Sequence, residues 1–194
     1  LVVDGLWGSA RSLVAWGLRE VSPRPALILA SSLSELHRTS RDLLFFASRA
    51  EPTGTPASVA EFPPGLPAFW RGGHQREGEA ERALCCHRLL RGEPLQVVTT
   101  PVGLSTPLPS PREFRALTLT LSRGAAIPRE ALLERLAAAG YERVESVVEV
   151  GQWSLRGGIV DIFSPARERP VRIELFGDEV ESLRAFDPTS QLSV

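Results

Sequence analysis

A chain of 194 residues with 43% hydrophobic and 23% charged side chains is long enough to bury a core and ordinary for a globular protein. Its net charge of −1 excludes a bulk field that draws nucleic acid or anionic lipid. No apolar run reaches the length of a membrane span and no charged-then-apolar leader opens the chain, so a cytoplasmic protein without membrane contact is expected. Methionine is absent, which leads us to expect a piece of a longer protein. Lysine is absent too, so all 22 basic residues are arginine.

From the amino end, the apolar run Leu1-Val2-Val3 precedes GLWGSARS, residues 5–12, and RSLVAWGLRE then carries a helix pattern. The spacing is that of the phosphate loop G-x-x-x-x-G-K-[ST]. Gly5 and Gly8 can turn the backbone, but Ala10 stands where the second glycine belongs and Arg11 where the lysine belongs. A bulky planar guanidinium is a poor substitute for a compact ammonium. Ser12 lacks a second acidic motif on an apolar strand with which to share magnesium. The loop is read as the shape of a lost nucleotide site, and no cofactor, metal or catalytic residue is assigned to the chain.

Further along, Pro25-ALILA has the length of a strand, and Ser32-Leu33-Ser34-Glu35 offers a capping box before LHRTSRDLLFFASR. Leu36, Leu43 and Leu44 suit one helix face, with Phe46 or Ala47 extending it. Pro52 to Pro56 breaks the chain, SVAEF predicts a short strand, and Pro63 to Pro67 a loop. Gln75 to Arg91 has helical spacing and Leu95 to Thr99 is again a strand. This βαβα order predicts a parallel sheet covered by helices. Cys85 and Cys86 are adjacent, which suits buried packing in a reducing compartment better than a disulfide framework or a zinc site. His37 and His74 are read as surface or structural.

PVGLSTPLPSP, residues 101–111, reads as a linker or crossing loop. The boundaries drawn are 1–110 for the α/β lobe and 117–194 for a small α+β domain. In the second, LTLTLS alternates as a strand with Leu117, Leu119 and Leu121 on one side. Pro128 and Gly140 bracket a helix with Leu132, Leu133 and Leu136 on one side. Strand-like segments follow at Glu145–Val150, Gln152–Phe163 with its Gly157-Gly158 break, and Val171–Phe176. In VRIELF, Val171, Ile173 and Leu175 face one way and Arg172, Glu174 and Phe176 the other. Trp153 and Leu155 likewise oppose Ser154 and Arg156. Alternation leaves two readings open. Arginine beside an outward phenylalanine is the composition of an interface anchor; alternatively the arginines pair with Glu174, Asp178 or Glu179 while Phe176 packs under a loop.

The run GYERVESVVEVGQWSLRGGIVDIFSPARERPVRIELFGDEVESLRAFDPTSQ, residues 140–191, resembles the bacterial transcription-repair coupling factors and the module they share with the excision-repair B subunit, UvrB. The likeness is dense there and looser but collinear over residues 1–100, through the degenerate loop, LILA, RDLLFF, HQREGEAERALCCHRLLRG and VVTTPVGL. FPPGLPAFWRGGH, residues 62–74, departs from the acidic, aromatic stretch usual in the family. UvrB itself is expected to keep an intact loop, so the resemblance favours the coupling factors. It implies a degenerate P-loop, helicase-like lobe kept as scaffold, followed by an adapter domain that docks the excision-repair A subunit, UvrA. By motif, Arg156 in LRGG and Arg172 and Phe176 in VRIELF are the implied contact residues, and replacing Phe176 and Arg172 together is expected to spare the fold. In the intact factor the resemblance further implies RNA polymerase and DNA as partners, an ATP-dependent motor elsewhere, and a carboxy-terminal domain that covers the same face. The alternatives weighed are a UvrB-like nucleotide-dependent subunit and a single-stranded nucleic-acid binder.

Overall fold

The computed structural model describes residues 4–22, 24–50, 58–65 and 75–194, which divide into two units, Leu1–Pro107 and Leu108–Val194. The Leu1–Val3 run, the Pro52–Pro56 break, His74 and most of the 62–74 stretch lie outside the described residues. No described helix is long and apolar enough to cross a membrane.

In the first unit, α1 (Ala10–Val21), β1 (Ala26–Leu29), α2 (Leu33–Ala50), β2 (Val59–Phe62), α3 (Gln75–Leu90) and β3 (Gln96–Thr99) follow the predicted order. The three strands pair in parallel as β1-β3-β2. Central β3 is buried at every position, as a parallel strand flanked on both sides must be. Val59 and Val98 meet Leu36 and Leu43 of α2 on one face; Phe62, Leu95 and Val97 meet Cys85 on the other. Burial pushes the Cys85 thiol up to about 11, which keeps it neutral and apolar in character.

The start of α2 departs from the predicted box. Ser32 Oγ accepts the Glu35 N–H at 3.2 Å, but the Glu35 carboxylate takes the Ser31 N–H at 2.8 Å rather than that of Ser32. Along that helix Leu44 is exposed, and the inward row is Leu36, Ser40 and Leu43. The strongest tie at the carboxyl ends of β2 and β3 comes from Arg82. Its buried guanidinium donates to Pro63 O at 2.8 Å and Gly103 O at 3.0 Å and lies 4.1 Å from the Phe62 ring centroid. His37 sits 2.9 Å from Glu61, a structural pairing.

Two short helices replace the loop expected over 101–111 and part of the strand expected after it: α4 (Pro101–Ser105) and α5 (Pro111–Leu117). Both begin on a capped proline. Thr100 Oγ1 accepts the Gly103 N–H, and Ser110 with Glu113 forms a complete capping box. That box carries the helix through Leu117, so LTLTLS is not a strand. Leu119 and Leu121 still pack inward, but the ladder they would need is taken: the 124–127 segment exchanges Gly124 N–Val180 O, Val180 N–Ala125 O and Ile127 N–Asp178 O bonds.

The second unit is built on α6 (Arg129–Ala138) and a mixed sheet of β4 (Glu142–Arg143), β5 (Gln152–Arg156), β6 (Ile159–Ile162), β7 (Val171–Phe176) and β8 (Glu179–Ala185), in that order. Pro128 is the N-cap of α6, and Gly140 at φ 83° closes it. The Gly140 N–H reaches Ala137 O and the Tyr141 N–H reaches Leu136 O, each at 3.0 Å, which is a Schellman ending. Leu132 and Leu136 pack with Ile127 against the inner sheet face, where Trp153, Val160, Ile162, Ile173 and Val180 are buried.

The strand expected over Glu145–Val150 is absent. Gln152 Oε1 accepts the Val148 and Glu149 N–H groups at 2.9 Å each, holding that segment as a turn. β8 had no counterpart in the sequence reading.

Candidate functional site

Strand pairing fixes what shares the outer sheet face. One cross-strand row holds Ser154, Asp161, Arg172 and Arg184; the next holds Arg156, Ile159, Glu174 and Ser182. Phe176 follows two positions beyond Glu174 on the same side of β7. All three arginine and phenylalanine positions singled out from the sequence therefore belong to one face, opposite the core.

Two glycine turns shape the end of that face. Arg156 pairs with Ile159 across a two-residue hairpin turn in which Gly157 takes φ 62°, a position that favours glycine. Gly158 is needed for a different reason. A Cβ there would sit 2.9 Å from Leu175 O, while Gly158 O accepts the Leu175 N–H at 2.8 Å. The hairpin tip is thus pinned against β7 immediately before Phe176. On the other side, Phe176 pairs with Glu179 across Gly177 at φ 61° and Asp178. A register shift between Glu174 and Leu175 leaves Glu181 as an extra residue on β8.

Exposure separates the three residues. Phe176 is 80% exposed, so the reading in which it packs under a loop is corrected. The Arg156 side chain is 52% exposed, but that of Arg172 only 17%. Their partner is neither Glu174, Asp178 nor Glu179; it is Asp161, 1% exposed. Arg172 forks onto it, with Nε–Oδ1 at 2.8 Å and Nη2–Oδ2 at 2.9 Å, and Arg156 Nη2 reaches Oδ2 at 2.7 Å. The Asp161 hydrogen bond is the main cause that raises Arg172 above the ordinary guanidinium value. Arg172 Nη1 also donates to Gln191 O at 3.3 Å, and its guanidinium lies 4.7 Å from the ring centroid of buried Phe186.

Gln191, at φ 60°, has its own side chain fastened to Val147 O at 3.1 Å and Pro188 O at 2.7 Å. The carboxy-terminal turn is therefore held over Arg172. Glu174 is engaged elsewhere, accepting from Ser182 Oγ at 2.6 Å and pairing with Arg184 at 3.6 Å.

Asp161, Gln191 and Phe186 were not singled out in the sequence. The signal for Asp161 was an acid flanked by Val160 and Ile162 in GIVDIF, a charge inside an apolar strand that has to be paired once buried.

At the other end of the chain, Gly5 and Gly8 adopt φ 73° and 53°. Ala10 begins α1, Arg11 Nε donates to Leu6 O at 3.2 Å, and Arg11 stands 3.7 Å from Glu35. Ser12 is 4% exposed and donates to Asp42 Oδ2 at 3.2 Å, tying α1 to α2. No group of three or more metal-ligating side chains occurs among the described residues.

Residues 119–194, within the carboxy-terminal unit, match the UvrB interaction domain family. Over its whole length the chain is 31% identical to the transcription-repair-coupling factor of Bacillus subtilis (strain 168), of which it spans 16%. It is also 46% identical over 81 residues, 42% of this chain and 7% of the relative, to the transcription-repair-coupling factor of Myxococcus xanthus. The UvrABC system protein B of Thermus thermophilus is 39% identical over 94 residues, 48% of this chain and 14% of that protein.

Proposed function

We propose that this chain is the UvrA-recruiting module of a transcription-repair coupling factor. The observation that carries the reading is an 80% exposed Phe176 at a hairpin end, sharing the outer sheet face with a half-exposed Arg156, in a unit that matches the UvrB interaction domain family. A large aromatic left in water on the same face as an exposed arginine suits a desolvated anchor with a charge-assisted contact to a carboxylate or carbonyl of the partner. In the parent protein, RNA polymerase, DNA and the ATP-driven motor would be handled by other parts of the chain. A carboxy-terminal domain would cover this face until recruitment, in the cytoplasm.

The amino-terminal unit serves as scaffold in this account and turns over no ATP. Ser12 is buried on Asp42 and Arg11 is turned back on Leu6 O, so neither side chain is presented as a phosphate loop presents its serine and lysine. The 194-residue chain is expected to bind purified UvrA saturably in calorimetry and to show no saturable binding of a fluorescent ATP analogue at micromolar concentration. Micromolar nucleotide binding removed by Arg11→Ala, without UvrA binding, would replace this reading with that of a nucleotide-dependent subunit.

A further inference from the structure

Among the described residues Asp161 is the one acidic side chain that is fully buried, and it lies on the face opposite the core of its unit. A buried carboxylate is costly unless its charge and lone pairs are met. Here both oxygens are met, and by the two arginines already placed on the proposed docking face. We propose that Asp161 is the positioning residue of that face, dividing its two arginines between two roles: Arg172 is locked as a buried support, and Arg156 is held by one nitrogen as the cation offered to the partner. This rests on the UvrA-recruiting reading and deepens it.

The division follows from the nitrogens. Arg172 uses all three: Nε and Nη2 on Asp161, and Nη1 on Gln191 O, with Phe186 under its plane. Little of it is left for a partner. Arg156 gives Asp161 only Nη2, and it makes no other hydrogen bond found among the described residues. Its Nε and Nη1 remain for a partner acceptor. Exposure leads to the same assignment, since two guanidiniums on one carboxylate leave a net positive charge and Arg156, at 52% against 17% for Arg172, is the member open to a partner.

A guanidinium tethered at one end has already given up part of its rotamer freedom, so less is lost when the partner binds. The two-residue turn holds the strand on which Arg156 sits, and Asp161, one cross-strand row farther from that turn, holds its head by Nη2 on the outer face that Phe176 shares. The partner chemistry that fits is an acidic side chain beside an apolar pocket, the carboxylate forking onto Nε and Nη1 of Arg156 while the pocket takes the Phe176 ring.

The test is a double-mutant cycle on the full 194-residue chain, with UvrA affinity measured for Asp161→Asn, Arg156→Ala and the pair. Asp161→Asn alone and Arg156→Ala alone are each expected to weaken binding about tenfold, and the pair by no more than about twofold beyond either single change. Independent, multiplying losses would overturn the proposal, as would wild-type affinity in Asp161→Asn.

Nitrogen-15 spectra of the arginine side chains in the free chain give a second readout that needs no UvrA. Restricted Nη rotation at Arg156 and Arg172 is expected in the wild type and its loss in Asp161→Asn. Unchanged spectra would overturn the positioning role. Absence of UvrA binding by the wild type would instead sink the recruiting function while these spectra still judge the clamp.

Arg156→Lys keeps the charge and leaves the Arg172–Asp161 fork in place, so it guards against a folding failure in the asparagine variant. It is expected to bind about as weakly as Arg156→Ala, because one ammonium cannot serve Asp161 and a partner carboxylate in the same geometry. Affinity within about twofold of wild type in that variant would make the effect one of charge alone and contradict the proposal.

Discussion

Replacing Phe176 with alanine is expected to weaken UvrA binding by about 30- to 1000-fold while leaving the thermal midpoint unchanged within error, as for a buried-on-binding aromatic anchor worth roughly 2–4 kcal/mol. The expectation of intact stability follows from the free chain. At 80% exposure the ring has little packing to lose. Its backbone remains paired with Glu179 through the Gly177 turn, which does not depend on the side chain. Surface substitutions of this kind shift stability by about 0.5 kcal/mol or less. Calorimetric titration and a melting curve on the same variant check both halves. A fall in the midpoint by several degrees would mean the ring supports the fold, and unaltered affinity would remove it from the interface.

Arg172→Ala behaves in the opposite way. It strips two of the three hydrogen bonds from Asp161, which is 1% exposed, and leaves Arg156 Nη2 as the remaining partner. It also uncovers the Phe186 ring and frees the Gln191 carbonyl. Removing one side of a buried ion pair costs about 3–5 kcal/mol. With Arg156 still in place we expect about 3 kcal/mol, near the lower end of that range. For a unit of this size that lowers the melting midpoint by roughly 12–20 °C. Arg184→Ala is the control, since Arg184 lies opposite Arg172 in the pairing but is exposed and meets Glu174 at 3.6 Å. Exposed pairs of that kind contribute about 0–1 kcal/mol. Equal midpoints for the two variants would show that the Asp161 fork does not hold the outer face together. The structure thus revises the expectation that Phe176 and Arg172 can be removed together without consequence for the fold.

Much of the carboxy-terminal unit could be read from the sequence because period and punctuation agree there. Gly157-Gly158 between two alternating runs reads as a hairpin turn or a glycine bulge, and pairing makes it the hairpin; Val171, Ile173 and Leu175 turn inward as their spacing requires. β8 was missed for a physical reason. Its inward residues Val180 and Leu183 are three apart, not two, because Glu181 is the extra residue at the register shift. A period-2 search fails at a bulge. LTLTLS shows the converse error: alternation put Leu117, Leu119 and Leu121 on one side, but Leu117 ends α5 exposed, and the inward packing of Leu119 and Leu121 does not supply a ladder partner.

The site divides along similar lines. That Arg156, Arg172 and Phe176 share a face follows from alternation within strands, which is local. That Arg172 is engaged through all three nitrogens and Arg156 through one depends on Asp161 one strand away and on Gln191. Alternation alone does not pick out either contact, and Glu174, Asp178 and Glu179 were the wrong partners to weigh, although Asp161 is the acid nearest Arg156 in sequence. In the amino-terminal unit a parallel sheet was legible from strand and helix signals in turn, but its order β1-β3-β2 was not. The engagement of Ser12 with Asp42, two helices meeting side by side, was not.

Hydrogen exchange of the chain with and without UvrA tests the docking face most directly. The turn amides of Gly157, Gly158, Gly177 and Asp178 lie at the end of the sheet from which Phe176 projects. Strong slowing of exchange at both turns on adding UvrA, with the α6 side of the unit unchanged, is the expected result. Slowing confined to α6 or to the amino-terminal unit, with both turns exchanging as fast as in the free chain, would contradict the account.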